Sequence, residues 1–329
     1  MDTRPKLAMY WAASCGGCEI ALVNIHEKIL DVDAHFNFFF CPCLLDTKVA
    51  DVEALEDGEL AITFFNGGIR NDDNLAMARL LRRKSKVLIA FGSCASEGCV
   101  PGLANLSSRE ELLRTVYIDN PTIDNPTGRL PQPATAVPGG VVHLPVLHEG
   151  VRPLARVVDI DYFIPGCPPE PHQIWSVVEY VIAGKALPPR GAALGCGTSS
   201  VCAECTRTKQ DKKVARFYRH HEIIPNETDC LLEQGLMCMG IATRDGCGAL
   251  CPKVNMPCTG CYGPPAGVLD QGAKMAAALG SMLDIGPLDE LDAAEIERRT
   301  DAAFAAIPDL VGTFYKYSLP SSLVRGRAS

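Results

Sequence analysis

Three apolar runs in the N-terminal half of the chain end in a turn that contains cysteine, and this pattern constrains the fold more than any other. Residues 6–14 lead into Cys-Gly-Gly-Cys-Glu, residues 86–92 into Ser-Cys, and residues 157–164 into Pro-Gly-Cys-Pro-Pro-Glu-Pro. Apolar runs of this length, separated by helix-like segments, are typical of buried strands in a doubly wound, mostly parallel sheet. The sequence therefore predicts an α/β fold for this half.

Hydrophobic periodicity and turn residues give approximate bounds for the elements. Strands are predicted at residues 6–14, 37–45, 60–66, 86–92 and 157–164, and helices at 20–30, 71–84, 172–184 and 293–307. The stretch 117–146 is rich in Pro, Thr, Gly and Asn and is predicted to be a long loop.

The cysteines of these turns are predicted to meet although they are far apart in sequence. Cys15 and Cys18 follow the first run, Cys94 follows the run that ends at residue 92, and Cys167 follows the run that ends at residue 164. The carboxyl ends of parallel strands share one edge of the sheet, where ligands bind. Four thiolates at one point suit an iron–sulfur cluster or a zinc ion.

The second half carries a different cysteine pattern. Nine of the sixteen cysteines lie between residues 191 and 267, where hydrophobic periodicity is weak. Eight of them form two sets of four, each with one Cys-x2-Cys pair: Cys202, Cys205, Cys230 and Cys238, then Cys247, Cys251, Cys258 and Cys261. We expect such a segment to be held by metal centres rather than by a core.

Bulk properties limit the class of protein. The net charge of −8 over 329 residues argues against a nucleic-acid partner. No apolar run approaches the roughly 18 residues that span a bilayer, and the first residues do not resemble a secretory signal. We therefore expect a cytoplasmic protein without a membrane span. In that reducing compartment, sixteen cysteines indicate metal or redox chemistry rather than disulfides.

Taken in order, the cysteine motifs resemble those of the small, electron-transferring subunit of [NiFe] hydrogenases. The match is to cytoplasmic group 3 enzymes of the methyl-viologen-reducing, F420-non-reducing type. The motifs are SCGGCE, GSCASEGC, PGCPPEP, CAEC, CLLEQGLMCMG, TRDGCGALCP and MPCTGCYGP. The resemblance implies a flavodoxin-like domain over residues 1–190, an irregular cysteine-rich iron–sulfur domain over 191–267, and a C-terminal helix and tail over 268–329.

The resemblance also implies three [4Fe–4S] clusters, which bind iron through twelve cysteines. The proximal cluster takes Cys15, Cys18, Cys94 and Cys167. The medial cluster takes Cys247, Cys251, Cys258 and Cys261, four thiols where many membrane-linked members have three and a proline. The distal cluster takes Cys202, Cys205, Cys230 and Cys238, with Cys202 where histidine is frequent.

The nickel–iron site of this family belongs to the large subunit, and the present chain carries no large-subunit signature. The resemblance therefore implies a chain that is not catalytic alone and relays electrons from H2 oxidation in its partner. Further partners implied are a [2Fe–2S] adaptor and a flavin-containing heterodisulfide-reductase complex. The basic stretch 207–219, between distal-cluster cysteines, is either a solvated helical face or a docking site for an acidic electron-transfer partner.

Several residues keep two interpretations. Cys41 and Cys43 are either two small buried residues on a strand, or one of them lies near the proximal cluster as a ligand or a redox-active thiol. Cys99 shares a loop with Cys94 and competes with it as a ligand, while Cys196 has no assigned role.

Glu19 directly follows a cluster cysteine. It is either a carboxylate that favours the helix start or a proton relay near the nickel site. Two rival functions also remain. One is the iron–sulfur subunit of a quinone-reductase-like complex, which shares the PGCPP loop but carries tandem cysteines. The other is a zinc-stabilised scaffold without a redox role.

Overall fold

The computed structural model describes residues 2–326, which fall into two compact units. The first unit extends to Leu194 and includes the C-terminal tail from Leu319, and the second is Gly195–Ser318. The sequence-based division placed 268–318 in a separate C-terminal region. The structure groups it with the cysteine-rich segment because the two share an apolar core.

The strands of the first unit are β1 (Lys6–Trp11), β2 (Asn37–Phe40), β3 (Leu60–Asn66), β4 (Ile69–Asn71), β5 (Ser85–Phe91), β6 (Ala134–Val137), β7 (Gly140–His143), β8 (Leu147–Arg152) and β9 (Tyr162–Ile164). Its α-helices are α1 (Gly17–Val23), α2 (Ile29–His35), α3 (Val49–Glu53), α4 (Asp72–Lys84), α5 (Ser93–Glu97), α6 (Arg109–Arg114) and α7 (Pro171–Ile182).

Five strands form one parallel sheet in the order β2-β1-β3-β5-β9. Counted along the chain, this is the order 2-1-3-4-5 of flavodoxin-like doubly wound sheets. The order reverses between β1 and β3, and a ligand site is expected outside the carboxyl ends of the strands at this point. The predicted fold class is confirmed.

Side chains alternate between two cores, one on each face of the sheet. On β1, Leu7 and Met9 belong to the core that also contains residues of α1 and α7, whereas Ala8 belongs to the core that contains residues of α3 and α4. Phe64 and Phe65 on β3 divide in the same way. Helices therefore cover both faces of the sheet. A functional site is expected at the carboxyl ends of the strands instead.

The predicted loop 117–146 contains the exposed hairpin of β6 and β7. The predicted strand 157–164 is shorter than expected, because only Tyr162–Ile164 joins the sheet.

The second unit contains α8 (Leu250–Lys253), α9 (Gln271–Met282), α10 (Ala293–Phe304) and α11 (Leu310–Phe314). Val214 and Phe217 from the cysteine-rich segment pack in one core with Met275 and Leu279 of α9. The ring of Phe304 in α10 stacks 5.1 Å from that of Phe217. The expectation of a segment without a core was wrong, because helices C-terminal to it supply apolar side chains.

Across residues 2–326, no helix is both long and apolar enough to cross a bilayer.

Candidate metal centres

The turn after β1 presents two cysteines in different environments. Gly16 adopts a left-handed conformation with φ of 81°, and a Cβ atom there would lie 3.3 Å from the Trp11 ring. Glycine at this position lets the chain turn directly into α1. As a result Cys15 is exposed, while Cys18, in the first turn of α1, is buried.

The loops that follow β5 and β9 are tied to one another. The Ser93 backbone N–H donates to the Gly166 carbonyl at 2.7 Å, and the Gly166 N–H donates to Ser93 Oγ at 3.1 Å. Cys94 and Cys167 directly follow these two residues. The reciprocal bonds therefore fix the positions of two cysteines that are far apart in sequence.

Cys18 lies where these loops converge. A Cβ atom on Gly92, at the end of β5, would overlap Cys18 Sγ, so glycine is required for the thiol to occupy this place. Burial raises the pKa of Cys18, and the nearby Cys94, Glu19, Cys167 and Cys15 raise it further. The other three cysteines predicted for the proximal cluster thus lie within electrostatic range of Cys18, at the carboxyl edge of the sheet.

A fifth thiol lies in the same place. Cys99 is buried, and its thiol donates to Cys167 Sγ at 3.4 Å. The hydrogen bonds to Cys167 and Cys94, followed by burial, raise the pKa of Cys99. The bond from Cys99 lowers the pKa of Cys167 despite the opposing effect of burial. Cys94 and Cys99 therefore both lie at this site.

Glu19 is buried rather than solvated at the helix start. Asn66, the last residue of β3, donates from Nδ2 to Glu19 Oε1 at 2.8 Å and Oε2 at 2.9 Å, and to Ser14 Oγ at 3.0 Å. Asn66 Oδ1 is buried and has no hydrogen-bond partner among the described residues. Sequence reasoning missed Asn66, although a polar residue ending an apolar strand at this edge was a usable signal.

Cys41 and Cys43 lie beyond the end of β2, so their placement on a strand was wrong. Cys41 is buried and Cys43 is exposed, with their Sγ atoms 3.3 Å apart. Burial, then the neighbouring Cys43, raises the pKa of Cys41 to about 12. Cys43 lines a cavity of about 400 Å³ together with Cys15 and Glu19.

In the second unit, the other three cysteines predicted for the distal cluster lie near Cys202. Burial raises the pKa of Cys202, and the thiols of Cys230 and Cys205 lie close enough to raise it further. A Cβ atom on Gly240 would contact the Sγ atoms of both Cys202 and Cys238, at 3.5 and 3.6 Å. Cys238 therefore lies close to Cys202, beside a residue that has no side chain.

The cysteines predicted for the medial cluster also have one another as neighbours. Burial raises the pKa of Cys258 to about 12, and the thiols of Cys261 and Cys247 are among its neighbours. Cys251 in turn lies within electrostatic range of Cys247.

Glu204 holds the turn that carries Cys247, because its carboxylate accepts the backbone N–H groups of Gly246 and Gly248, both at 3.0 Å. No pattern in the sequence indicated this role for Glu204.

The medial and distal sets adjoin. The backbone N–H of Cys258 donates to Cys238 Sγ at 3.3 Å, so one residue from each set is in direct contact. Burial, and then the nearby thiol of Cys258, raise the pKa of Cys238 to about 12. Cys196 has other neighbours, including Arg244 and Asp245, and burial raises its pKa to about 11.

The basic stretch 207–219 forms no helix in the structure, so the interpretation as a helical face was wrong. Arg207 is buried and donates from Nε to the Pro252 carbonyl at 2.9 Å. Three exposed lysines, by contrast, line a cavity of about 450 Å³ with three distal cysteines. They are Lys209, Lys212 and Lys213, and the cysteines are Cys202, Cys230 and Cys238.

Each set consists of four thiols, the donor type and number that iron–sulfur cubanes use. Within residues 2–326, no group of three or more His, Cys, Asp or Glu side chains is close enough together to hold a single metal ion.

Comparison with known proteins gives matches along nearly the whole chain. The family model of the NADH ubiquinone oxidoreductase 20 Kd subunit matches residues 15–181. The iron-sulfur subunit of the F420-non-reducing hydrogenase of Archaeoglobus profundus is 38% identical over 325 residues, 97% of this chain and 97% of the relative. The corresponding subunit of the F420-non-reducing hydrogenase of Methanothermobacter marburgensis is 36% identical over 327 residues, 98% of this chain and 97% of the relative.

A chain of the H2-activated [NiFeSe]-hydrogenase from Dm. baculatum has a similar fold. The two superpose with a TM-score of 0.50 at 18% identity, over 80% of this chain and 95% of the other. At that identity the likeness concerns the fold alone.

Proposed function

The chain belongs to the family of iron–sulfur small subunits of F420-non-reducing [NiFe] hydrogenases, and we propose that it relays electrons through three [4Fe–4S] clusters. The clusters supply one-electron redox chemistry when bound. The observation that supports the proposal is that the cysteines predicted for each cluster lie near one another in the fold.

The first unit supplies the entry point for electrons. We assign Cys15, Cys18, Cys94 and Cys167 as proximal ligands, in the position where a doubly wound sheet binds its ligand. Cys15 is exposed, whereas Cys18 and Cys94 are buried. The buried thiols exclude water from one side of the site, and the exposed side faces the large subunit, which carries the nickel–iron site.

The second unit supplies the medial and distal ligand sets. Support for passage between them comes from the contact of Cys258 N–H with Cys238 Sγ. Hydrogen bonds to cluster sulfurs and burial both tune reduction potential. Four thiols in the medial set favour a full cubane over a [3Fe–4S] cluster. The full cubane is the cluster that suits low-potential acceptors.

Electrons leave beside the lysines of the distal site. Lys209 is exposed, and its charge lowers the pKa of Cys202, opposing the larger effect of burial. Exposed lysines beside the last cluster favour an acidic electron-transfer partner and speed its association. We propose that this partner is a [2Fe–2S] adaptor in the cytoplasm, which is linked to a heterodisulfide-reductase-type flavoprotein.

Glu19 is proposed to move protons near the nickel site. Its carboxylate is held by Asn66 and lines the same cavity as Cys15. A buried carboxylate in a fixed orientation is suited to general acid–base transfer.

The test is metal analysis with EPR on the complex purified without oxygen. We expect about twelve irons on this chain, three clusters of four, and nickel only in the partner. Cys15→Ser should remove about four irons, whereas Cys43→Ser, which alters the same cavity, should remove none. In the second unit, Cys230→Ser should likewise remove about four irons, whereas the control Cys196→Ser should remove none.

Zinc in place of iron, with no reducible signal, would establish a zinc-stabilised scaffold instead. Equal iron loss from Cys15→Ser and Cys43→Ser would overturn the proximal assignment alone.

A further inference from the structure

A cavity of about 400 Å³ in the first unit has three arginines on its walls. Arg152 ends β8, Arg156 follows four residues later, and Arg325 comes from the C-terminal tail. The three side chains are exposed, so a ligand can reach them from solvent. Arg152 donates from Nη2 to His148 Nδ1 at 3.2 Å. Among the described residues, none of the three guanidinium groups forms an ion pair with a carboxylate.

The negative charge beside these arginines is already paired. Glu149 is the one carboxylate among the described residues that line the cavity. Its Oε1 atom lies 3.1 Å from Arg109 Nη2, and its Oε2 atom accepts the Arg109 backbone N–H at 3.2 Å. Arg70 also lies within electrostatic range of Glu149. The cavity therefore keeps an excess of positive charge, in a chain whose net charge is −8.

The backbone around the cavity is held in place by contacts within the chain. The Asn105 side chain accepts the Val151 N–H at 2.7 Å and donates to the Val151 carbonyl at 3.0 Å, which fixes the end of β8. A Cβ atom on Gly326 would overlap the Asn105 backbone, so the tail lies directly against the same residue. Pro320 anchors the tail further, since a Cβ atom on Gly102 would overlap its ring. Two segments far apart in sequence therefore present arginines to one cavity.

We propose that this cavity binds a small phosphate-bearing anion with two or more negative charges, held between the arginines at the end of β8 and Arg325 of the tail. Guanidinium groups bind phosphate oxygens through paired, charge-assisted hydrogen bonds. The volume lies within the range of about 300 to 1,000 Å³ that is usual for small-molecule sites. An anion that contacts both sides also ties the tail to β8. The inference is independent of the clusters, since no cysteine is among the described residues that line the cavity.

The experiment measures the binding of inorganic pyrophosphate to the complete complex by calorimetry, at constant ionic strength and without divalent cations. The wild type should bind pyrophosphate saturably, at one site on each copy of this chain. Arg156→Gln and Arg325→Gln should each weaken binding about tenfold, because each removes a charge-assisted contact. Arg129→Gln, at an exposed arginine elsewhere in the first unit, is the matched control and should bind like the wild type. Glu149→Gln should strengthen binding, since it removes the carboxylate that opposes the anion.

Three results would overturn the inference. The first is wild-type complex that binds no pyrophosphate saturably. The second is an equal loss of affinity in Arg129→Gln, which would indicate an effect of net charge. The third is unchanged affinity in Arg325→Gln, which would show that the tail takes no part in binding. The tighter binding expected of Glu149→Gln is a gain that a misfolded variant does not produce. Iron content and EPR test the electron relay separately.

Discussion

Asn66 donates its side-chain amide to both carboxylate oxygens of Glu19, at 2.8 and 2.9 Å, across the point where the strand order of the sheet reverses. One residue ends β3 and the other lies in the first turn of α1. The pair therefore orients a buried carboxylate beside the proximal cysteines. A buried carboxylate in a fixed orientation supports the proposed proton-transfer role of Glu19.

Glu19→Gln should retain the cluster irons and lose hydrogenase activity, because the amide keeps the size of the side chain but does not transfer protons. A general acid–base group contributes about 10²- to 10⁴-fold. The measurement is H2 oxidation by the complete complex with an artificial acceptor, together with iron content. Glu27→Gln, an exposed neighbour, is the matched control. Wild-type activity in Glu19→Gln would leave the carboxylate with a structural role only.

Asn66→Ala should destabilise the first unit by about 1–3 kcal/mol, because it removes the donor from a buried carboxylate. Denaturant unfolding of the complex and of the Glu19→Gln and Asn66→Ala variants, singly and combined, measures the coupling. The double variant should lose less stability than the sum of the two single variants. Strict additivity would contradict an energetic link between these side chains.

The sequence predicted the parts of this site that follow from strand geometry. Residues 60–66 form β3 with the predicted bounds, and the helix predicted to end at residue 84 is α4 (Asp72–Lys84), with Asn71 as the capping residue. Apolar runs and an N-cap are local signals. Since parallel strands end at one edge, the convergence of Cys18 and Cys167 could also be predicted.

Other features depend on contacts that no local pattern encodes. Helix α9 was not predicted, because its run of alanine and glycine lacks a strong apolar stripe and its Met275 becomes buried only through tertiary packing. The contact of Cys258 with Cys238 joins two sets that the sequence separates. The position of Cys99 relative to Cys167 likewise depends on a turn fixed by distant Pro320.

Gly92→Ala should remove the proximal cluster alone. The φ of Gly92 is +80°, and an added methyl group would overlap Cys18 Sγ. We expect the loss of about four of twelve irons, with medial and distal EPR signals retained. Gly140→Ala is the control, since a Cβ atom there meets no atom within 4 Å. Full iron content in Gly92→Ala would show that Cys18 does not need this space.

Lys209→Glu should weaken transfer to an acidic protein acceptor more than transfer to a small neutral dye. Reversing one charge beside Cys202 removes an attraction that ionic strength screens. We expect the ratio of the two rates to fall several-fold at low salt and to approach that of the wild type at high salt. Lys274→Glu on α9 provides the same charge change at another exposed position. An equal effect of the two substitutions would indicate net charge rather than docking.

Asp161 makes the stability of the first unit sensitive to acid. Its Oδ2 atom accepts from Arg82 Nη1 at 2.6 Å and from the Leu88 N–H at 2.8 Å. Burial alone would raise the pKa of Asp161, but these bonds and the nearby Arg190 hold it below its usual value. The unfolded chain therefore binds the proton more readily than the folded one. The stabilising contribution is complete above the ordinary pKa of aspartate and is lost as pH falls through the lower folded value.

Asp161→Asn removes this titration, so its unfolding midpoint in denaturant should change less between pH 6 and about 3 than that of the wild-type complex. Asp159→Asn lies two residues away on the exposed side and serves as the control. Its acid dependence should match the wild type, since its carboxylate is not the one held by Arg82. A variant at position 161 that loses stability with acid as steeply as the wild type would place the sensitive group elsewhere in the chain.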